Sequence, residues 1–157
     1  MRTVAGEEDF AKAVKAVNAM AETGRGLLVT GRVGCGKTRL VTAIRDAFDS
    51  GNRNWVYCKD SDDMEYLRYC EDAMKSNVYI DDIGSEEIVR DYGNVVDVVG
   101  DFLQRYHYRG TGRVIATTNL NAEKITEKYG ARTLDRMLEM CVVLQFKGGS
   151  KRGRVII

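Results

Sequence analysis

Short apolar runs alternate along this chain with segments in which apolar residues recur every three or four positions. The apolar runs are bounded by turn residues and predict strands, while the helical spacing predicts amphipathic helices between them. The predicted strands are 26–30, 54–58, 77–80, 113–117 and 141–146. The predicted helices are 7–22, 37–48, 60–73, 91–106, 121–128 and 131–139. Regular alternation of this kind is typical of an α/β fold in which helices cover a parallel sheet, here of five strands.

Two of the predicted helices have a definable apolar face. In the first helix, this face comprises Phe10, Val14, Val17 and Ala21. In the helix 91–106, it comprises Val95, Val99, Phe102 and Tyr106. Residues three or four apart share one side of a helix, so we expect both sets to pack against the sheet. A turn at 50–52, which reads Ser-Gly-Asn, is expected before the second strand.

Composition and length exclude several classes of protein. The 157 residues suit one domain of ordinary size. There are 24 basic and 23 acidic residues, and a net charge of +1 neither requires nor excludes a nucleic-acid partner. Four cysteines without a C-x-x-C pair, beside a single histidine, indicate neither a disulfide framework nor a zinc site. Without an apolar stretch that could cross a bilayer, we expect a cytoplasmic protein with no membrane partner.

A candidate phosphate-binding loop follows the first strand. Residues 31–38 read Gly-Arg-Val-Gly-Cys-Gly-Lys-Thr and match the template G-x-x-x-x-G-K-[ST]. The glycines let backbone N–H groups point at a polyphosphate, and the next helix adds its positive dipole end. We expect Lys37 to reach the β- and γ-phosphates and Thr38 to hold Mg²⁺. The expected ATP-contacting residues are Gly31, Arg32, Val33, Gly34, Cys35, Gly36, Lys37, Thr38 and Arg39. The alternative for the whole segment is a chance glycine-rich turn. The side chain of Cys35 is expected to fill space within the loop.

Paired carboxylates, Asp81 and Asp82, follow the apolar strand 77–80. Ligands gather at the carboxyl ends of parallel strands, so these acids are expected to face the phosphate loop. We expect Asp81 to hold Mg²⁺ through a water, because this hard cation prefers oxygen and keeps much of its hydration. Asp82 is expected to polarise the attacking water, slowly, since Asp is one methylene shorter than the more usual Glu. The alternative is a helix cap or a solvated turn.

The predicted strand 113–117 runs into three polar residues, Thr117, Thr118 and Asn119. The amide group of Asn119 is suited to hydrogen-bond both the γ-phosphate and the lytic water, the positioning that phosphoryl transfer needs. Taken alone, the pattern equally fits an Asx turn that caps the next helix.

Two arginines, Arg132 and Arg136, lie four positions apart on the predicted helix 131–139. Both guanidinium groups then project from one side, which suits a phosphate held by a neighbouring molecule. An arginine acting on a neighbour would make hydrolysis depend on assembly into a homo-oligomer. The alternative is a solvated pair that bridges Asp135 or Glu139.

The segment 147–154 concentrates four positive charges around glycines, namely Lys147, Lys151, Arg152 and Arg154. Contact with the phosphates of single-stranded nucleic acid is one interpretation. A solvated hairpin turn before 155–157 is the other, and the sequence does not separate them.

The order of these motifs resembles the AAA+ ATPase domain of the DnaC- and DnaI-type helicase loaders and the IstB-type transposition ATPases. The resemblance spans about 24–152 and rests on the combination, because many unrelated NTPases share the phosphate loop. Its segments are Gly31-x4-Gly36-Lys37-Thr38, Ile80-Asp81-Asp82-Ile83-Gly84, Thr117-Thr118-Asn119, Gly130-x-Arg132-x-x-Asp135-Arg136-Met137 and Phe146-x-Gly148-x-Ser150-x-Arg152.

This resemblance implies one AAA+ domain over 1–157, with an N-terminal helix in 1–23 and a nucleotide-binding core in 24–157. It implies sheet order 5-1-4-3-2, no helical lid after the last strand, Asn119 as sensor 1, and Arg136, or as second choice Arg132, as the arginine finger. Members bind ATP with Mg²⁺, form oligomers, contact single-stranded DNA, and place a replicative helicase on it or assist a transposase. The sequence has no separate N-terminal region long enough for the docking domain of full-length loaders, so we expect either a compact relative or an excised ATPase domain. Sensor 2 stays unassigned, with Arg152 as a weak substitute.

The expected function is therefore slow, assembly-stimulated ATP hydrolysis that assists DNA replication, through helicase loading on single-stranded DNA. Three alternatives stay open: a transposition-helper ATPase, a non-catalytic switch in which ATP controls a protein-binding surface, and a small-molecule P-loop kinase.

Overall fold

Five parallel strands form the central sheet in a computed structural model that describes residues 7–48, 55–59, 61–86 and 89–146. These strands are β1 (Gly26–Thr30), β2 (Trp55–Cys58), β3 (Asn77–Ile83), β6 (Val114–Thr118) and β7 (Cys141–Gln145). Their order across the sheet is β2-β3-β6-β1-β7. Counted along the chain without the two strands outside this sheet, the order reads 2-3-4-1-5, which is the predicted 5-1-4-3-2 seen from the other edge. The predicted α/β fold is confirmed.

The helices and a small hairpin complete the described fold. The helices are α1 (Glu7–Thr23), α2 (Lys37–Phe48), α3 (Ser61–Tyr69), α4 (Val98–Arg109), α5 (Ala122–Tyr129) and α6 (Ala131–Met140). A 3₁₀ turn covers Glu71–Lys75, and β4 (Val89–Asp91) pairs antiparallel with β5 (Asn94–Val96). Among the residues that the structure describes, no helix combines the length and apolar character that a bilayer span requires.

Two apolar cores lie on opposite faces of the sheet, because successive strand side chains point to opposite sides. Leu27 and Val29 of β1 pack with α1 and α2, whereas Leu28 between them packs with α3 to α6. Strand β3 divides in the same way, with Tyr79 on the α1–α2 side and Val78 and Ile80 on the other. Both faces are covered, as the near-continuous apolar strands predict.

The apolar face predicted for α1 is wrong by about one residue's rotation. The buried positions are Ala13, Ala16 and Met20, whereas Val14 is exposed and Val17 is partly buried. Alanine leaves room for a helix backbone to approach the sheet closely, and bulkier side chains then lie at the margin of the contact. Side-chain size, which the helical spacing does not register, decides the face.

The helix predicted over 91–106 is wrong in its first two turns. Tyr92 and Gly93 both have positive φ, of 49° and 84°, and form the two-residue turn that joins β4 to β5. Val95 is consequently 65% exposed instead of lying in the core. The helix begins only after Asp97, whose carboxylate accepts a 2.8 Å hydrogen bond from the Gly100 N–H.

Other predicted boundaries also shift. The third helix ends at Tyr69, because Cys70 is extended, and the 3₁₀ turn takes over the remaining segment. Strand β3 continues past the predicted end at Ile80 to Ile83, so that both carboxylates belong to it. The turn predicted at 50–52, the helix start at Asp60 and the segment 147–157, with everything expected after the last strand, lie outside the described residues.

Candidate nucleotide-binding site

The loop between β1 and α2 follows a path that needs glycine. Gly31, Gly34 and Gly36 have φ values of 153°, 78° and 99°. A Cβ atom on Gly31 would lie 2.9 Å from the Cβ of Phe146 and 3.1 Å from the Sγ of Cys35. The loop is therefore packed against the residue that follows β7, and larger residues at 31 would displace it.

The side chains of the predicted ATP-contacting segment divide into two groups. One group, which is exposed, comprises Arg32, Val33, Thr38 and Arg39. Cys35 is fully buried under the loop, where it fills space as predicted from its position. The exposed side chains of this segment are therefore open to a ligand, whereas that of Cys35 is not.

The ammonium group of Lys37 lies at the centre of the loop. It donates hydrogen bonds to the carbonyl oxygens of Gly31 (2.8 Å) and Arg32 (3.0 Å), and to the Oδ1 atom of Asn119 (2.6 Å). Only 7% of the residue is exposed. All three ammonium hydrogens are engaged, so a buried positive charge is held within reach of the loop and of the end of β6.

A β-bulge turns both carboxylates of β3 towards this loop. Ile80 pairs with Ala116 and Ile83 with Thr118, so Asp81 and Asp82 together face the single residue Thr117. Consecutive residues of a regular strand point to opposite faces, and the extra residue of a bulge removes that alternation. Asp82 takes a left-handed conformation with φ of 55°, which a short polar residue tolerates better than most.

The hydroxyl group of Thr117 holds the bulge. It accepts a 2.8 Å hydrogen bond from the Asp82 N–H and donates one of 2.7 Å to the Oδ1 atom of Asp81. Thr117 is only 1% exposed. One buried hydroxyl therefore satisfies the backbone group that the bulge leaves unpaired and also orients the first carboxylate.

Three hydroxyl groups converge on one oxygen of Asp81. Its Oδ1 atom accepts hydrogen bonds from Thr38 (3.2 Å), Tyr79 (2.8 Å) and Thr117 (2.7 Å). Burial, reinforced by the Asp81 carboxylate, raises the pKa of the Tyr79 phenol, which therefore keeps its proton and acts as the donor. Thr38 lies in the first turn of α2, at the end of the phosphate loop, so this contact joins the loop directly to β3.

A second chain of hydrogen bonds joins Asp82 to Lys37. The Nδ2 group of Asn119 donates to the Oδ1 atom of Asp82 (2.7 Å), while the Oδ1 atom of Asn119 accepts from Lys37 (2.6 Å). The partners fix which end of the amide faces each neighbour. Three predicted site residues from β3, the end of β6 and the phosphate loop are thereby brought together.

The donor set beside the loop fits a magnesium ion. Thr38 and Asp81 provide a hydroxyl oxygen and a carboxylate within 3.2 Å of each other. Mg²⁺ is usually bound by one or two protein oxygens, with waters and substrate phosphates completing its octahedron. Among the described residues, no three His, Cys, Asp or Glu side chains cluster as metal ligands.

The two predicted finger arginines lie on α6, away from this network. Arg136 donates to both carboxylate oxygens of Glu139, at 3.3 and 3.1 Å, and the Nε2 atom of His107 lies 2.5 Å from the same carboxylate. These hydrogen bonds, from His107 first and Arg136 second, lower the pKa of Glu139. Arg132 is exposed. Within the described part of the chain, no hydrogen bond or ion pair joins either arginine to the phosphate loop or to the β3 carboxylates.

Sequence reasoning missed Tyr79, Thr117 as a bridge, and Glu86. The carboxylate of Glu86 accepts from the Gly84 N–H (2.7 Å), contacts the Tyr129 hydroxyl and lies 3.5 Å from the Lys128 ammonium. It therefore ties the segment after β3 to the end of α5. Tyr79 had a detectable signal, a hydroxyl in an aliphatic strand two positions before Asp81, whereas the partners of Thr117 and Glu86 had none.

A parallel sheet in this order, with a phosphate loop after β1 and a carboxylate pair near the end of β3, is the P-loop AAA+ fold.

Comparison of the sequence with protein-family models and with curated proteins finds no match. Solved structures do match. The crystal structure of the DnaC helicase loader has a TM-score of 0.65 and 19% identity, over 91% of this chain and 93% of that one.

Two further structures share the fold. AMPPCP-bound DnaA from Aquifex aeolicus has a TM-score of 0.59 at 18% identity, over 90% of this chain and 47% of that chain. Cdc6p from Pyrobaculum aerophilum has a TM-score of 0.51 at 13% identity, over 88% and 44%. The chain thus spans under half the length of these two proteins. At such identities the likeness establishes the fold, and the predicted resemblance to the DnaC-type AAA+ domain is confirmed at that level.

Proposed function

We propose that this chain binds ATP with Mg²⁺ at the loop 31–38 and hydrolyses it. The observation that carries the proposal is the pair of hydrogen-bonded links from the loop to the β3 carboxylates, Thr38 to Asp81 and Lys37 through Asn119 to Asp82. These contacts bring a cation, two carboxylates and an amide together beside the loop, which is the combination of groups that a magnesium-bound phosphate requires. AMPPCP, an ATP analogue, in the related DnaA fold supports the choice of nucleotide.

Each residue has a distinct task in this proposal. Loop N–H groups and the ammonium of Lys37 hold the phosphates, for which Lys37 exchanges hydrogen bonds that it now makes to loop carbonyls. Thr38 and Asp81 would hold Mg²⁺, which would neutralise negative charge on the phosphates. Asp82 accepts the proton of the attacking water, and Asn119 orients that water.

Asp82 also motivates the competing function. Its carboxylate is occupied by Asn119 and starts from a left-handed backbone, and it is one methylene shorter than a glutamate. A site that binds ATP without turning it over would act as a switch, in which the nucleotide state controls a protein-binding surface. Multiple-turnover kinetics separate the two functions, because the switch predicts tight binding without phosphate release.

Arginine supplied by a second copy of the chain is the proposed activator. Arg136 is our first choice and Arg132 the second. Among the described residues, neither is hydrogen-bonded to the phosphate loop or to the β3 carboxylates, and Arg136 contacts Glu139 instead. A guanidinium group from a neighbouring copy can neutralise charge on the transferred phosphoryl group. Homo-oligomerisation would then be required for hydrolysis, and Glu139 must release Arg136 for it to act.

The proposed biological role is cytoplasmic assistance to DNA replication, by helicase loading on single-stranded DNA. The likeness to the DnaC helicase loader over nearly the whole of both chains supports this role. A transposition-helper ATPase remains the alternative, with a transposase in place of the helicase. Titration of labelled single-stranded DNA at rising salt tests the DNA contact, since phosphate contacts predict a steep loss of affinity with salt.

Calorimetry of ATP binding tests the nucleotide site itself. We expect Lys37→Ala to abolish Mg-ATP binding, because it removes the cation that is linked to both the loop and Asn119. Lys124→Ala is the matched control, since Lys124 is an exposed lysine on α5. Equal ATP affinity for the two variants would discard the site.

A further inference from the structure

Tyr79 and Asp81 face the same side of β3. They are two positions apart, which on a strand places both side chains on one face. The phenol hydroxyl donates a 2.8 Å hydrogen bond to the Oδ1 atom of Asp81. The contact therefore joins a residue of the apolar core to one of the residues assigned to magnesium.

The ring of Tyr79 is fixed by packing and not by the carboxylate. It is 1% exposed and lies among apolar residues of α1 and α2. The ring of Tyr57 on β2 meets it edge-on, with centroids 6.2 Å apart and planes at 73°, and the Arg45 guanidinium lies 5.0 Å from the Tyr57 centroid. These contacts of the ring fix the position of the hydroxyl group independently of its hydrogen bond to Asp81.

The hydroxyl group of Tyr79 is buried and therefore needs a hydrogen-bond partner. Burying a hydroxyl in an apolar core is unfavourable unless it finds a partner, and phenylalanine would fill the same volume without that requirement. The hydrogen-bond acceptor that Tyr79 finds is the Asp81 carboxylate.

The other hydroxyls on Asp81 are not equivalent to that of Tyr79. Thr38 is itself assigned to Mg²⁺, so its hydrogen bond to Asp81 is exchanged when the cation is held. Tyr79 and Thr117 then remain as the groups that orient the carboxylate. Both donate to Oδ1, and no hydrogen bond of the described residues involves Oδ2.

We propose that Tyr79 is a positioning residue that holds the Asp81 carboxylate in its magnesium-binding orientation. This proposal rests on the proposed function, because it assigns a role in the same nucleotide site. Removing a hydrogen-bonding partner of a metal ligand typically weakens metal affinity about 10- to 100-fold. With Thr117 still in place, we expect Tyr79→Phe to lie near the lower end of that range.

The experiment measures the affinity of a fluorescent ATP analogue while Mg²⁺ is titrated, for the full chain and Tyr79→Phe. We expect the Mg²⁺ concentration at half-maximal stimulation of binding to rise about tenfold. Affinity in EDTA should stay unchanged, because Lys37 and the loop amides are intact. Tyr57→Phe is the control, since it removes a phenol hydroxyl from the neighbouring ring without touching Asp81.

The possible results separate the two proposals. If the nucleotide affinity of the wild-type chain does not change with Mg²⁺, both the proposed magnesium site and the proposed role of Tyr79 are overturned. A wild-type response with an unchanged midpoint in Tyr79→Phe overturns the role of Tyr79 alone. An equal loss of affinity with and without Mg²⁺ also overturns it, because the hydroxyl would then support the fold and not the metal carboxylate.

Discussion

The Thr117 hydroxyl is expected to stabilise the whole fold, and Thr117→Val measures by how much. Valine keeps the branched shape and removes the oxygen that accepts from the Asp82 N–H and donates to Asp81. A polar group left without its partner costs about 1–3 kcal/mol when buried. Asp82 is partly exposed, which reduces that penalty for its N–H group. The Asp81 carboxylate also loses one of its three hydroxyl donors, which adds to the penalty.

We therefore expect the free energy of unfolding to fall by about 2 kcal/mol. For a domain of this size, that corresponds to a decrease in melting temperature of about 4–8 °C. Urea denaturation monitored by circular dichroism, together with a thermal scan, provides both quantities. The slope of the free energy against urea should not change, because the surface exposed on unfolding is the same.

Thr126→Val is the matched control. The Thr126 hydroxyl also has a partner, the Ala122 carbonyl oxygen at 2.9 Å, but the contact lies on the exposed side of α5. Loss of such a contact should change stability by no more than about 0.5 kcal/mol. If Thr117→Val were as stable as this control, water would be replacing the hydroxyl at the bulge, and our account of how the bulge is held would be refuted.

The remaining predictions concern catalysis and pH. Asn119→Ala should slow single-turnover hydrolysis about 100-fold while ATP still binds, because the water loses its orientation; an unchanged rate would remove Asn119 from the reaction. Arg136→Ala should bind ATP but lose at least about 1,000-fold in hydrolysis, and mixing it with Lys37→Ala should partly restore activity; mixtures no more active than either variant would argue against a finger acting between chains. Burial raises the pKa of Asp97, so the folded state retains its proton to higher pH and stability declines as pH rises from the unfolded to the folded pKa. Asp97→Asn keeps the cap to the Gly100 N–H and should remove that decline in urea titrations at a series of pH values; persistence of the decline would assign it to another group.

The strand-and-helix alternation and the phosphate loop were predictable because neighbouring residues determine them. Glycine permits the positive φ values of Gly31, Gly34 and Gly36 at each position by itself. The apolar runs of β1 and β6 are buried, as their composition indicates. The sheet order required more than periodicity, and it came from the resemblance of the motif series. The predicted meeting of the carboxylates with the loop followed from the rule for strand ends.

Errors arose where a local pattern had two solutions. The segment 91–106 has apolar residues at helical spacing, but Tyr92-Gly93 can also form a hairpin turn, and burial of Val98 and Phe102 without Val95 is the packing that the structure adopts. Helical spacing likewise could not choose between adjacent faces of α1. In both cases the competing conformations differ in tertiary packing more than in intrinsic preference.

By itself, the sequence determined the class of fold and the glycine positions of the loop 31–36, because the strand and helix patterns and the loop each depend on contiguous positions. Only the tertiary structure decided that Thr117 holds a bulge at Asp81 and Asp82 and that Tyr79 shares the Asp81 oxygen with Thr38. Such contacts join side chains up to 43 positions apart. Their geometry depends on the stagger of neighbouring strands, and a displacement of one residue in register would separate the partners.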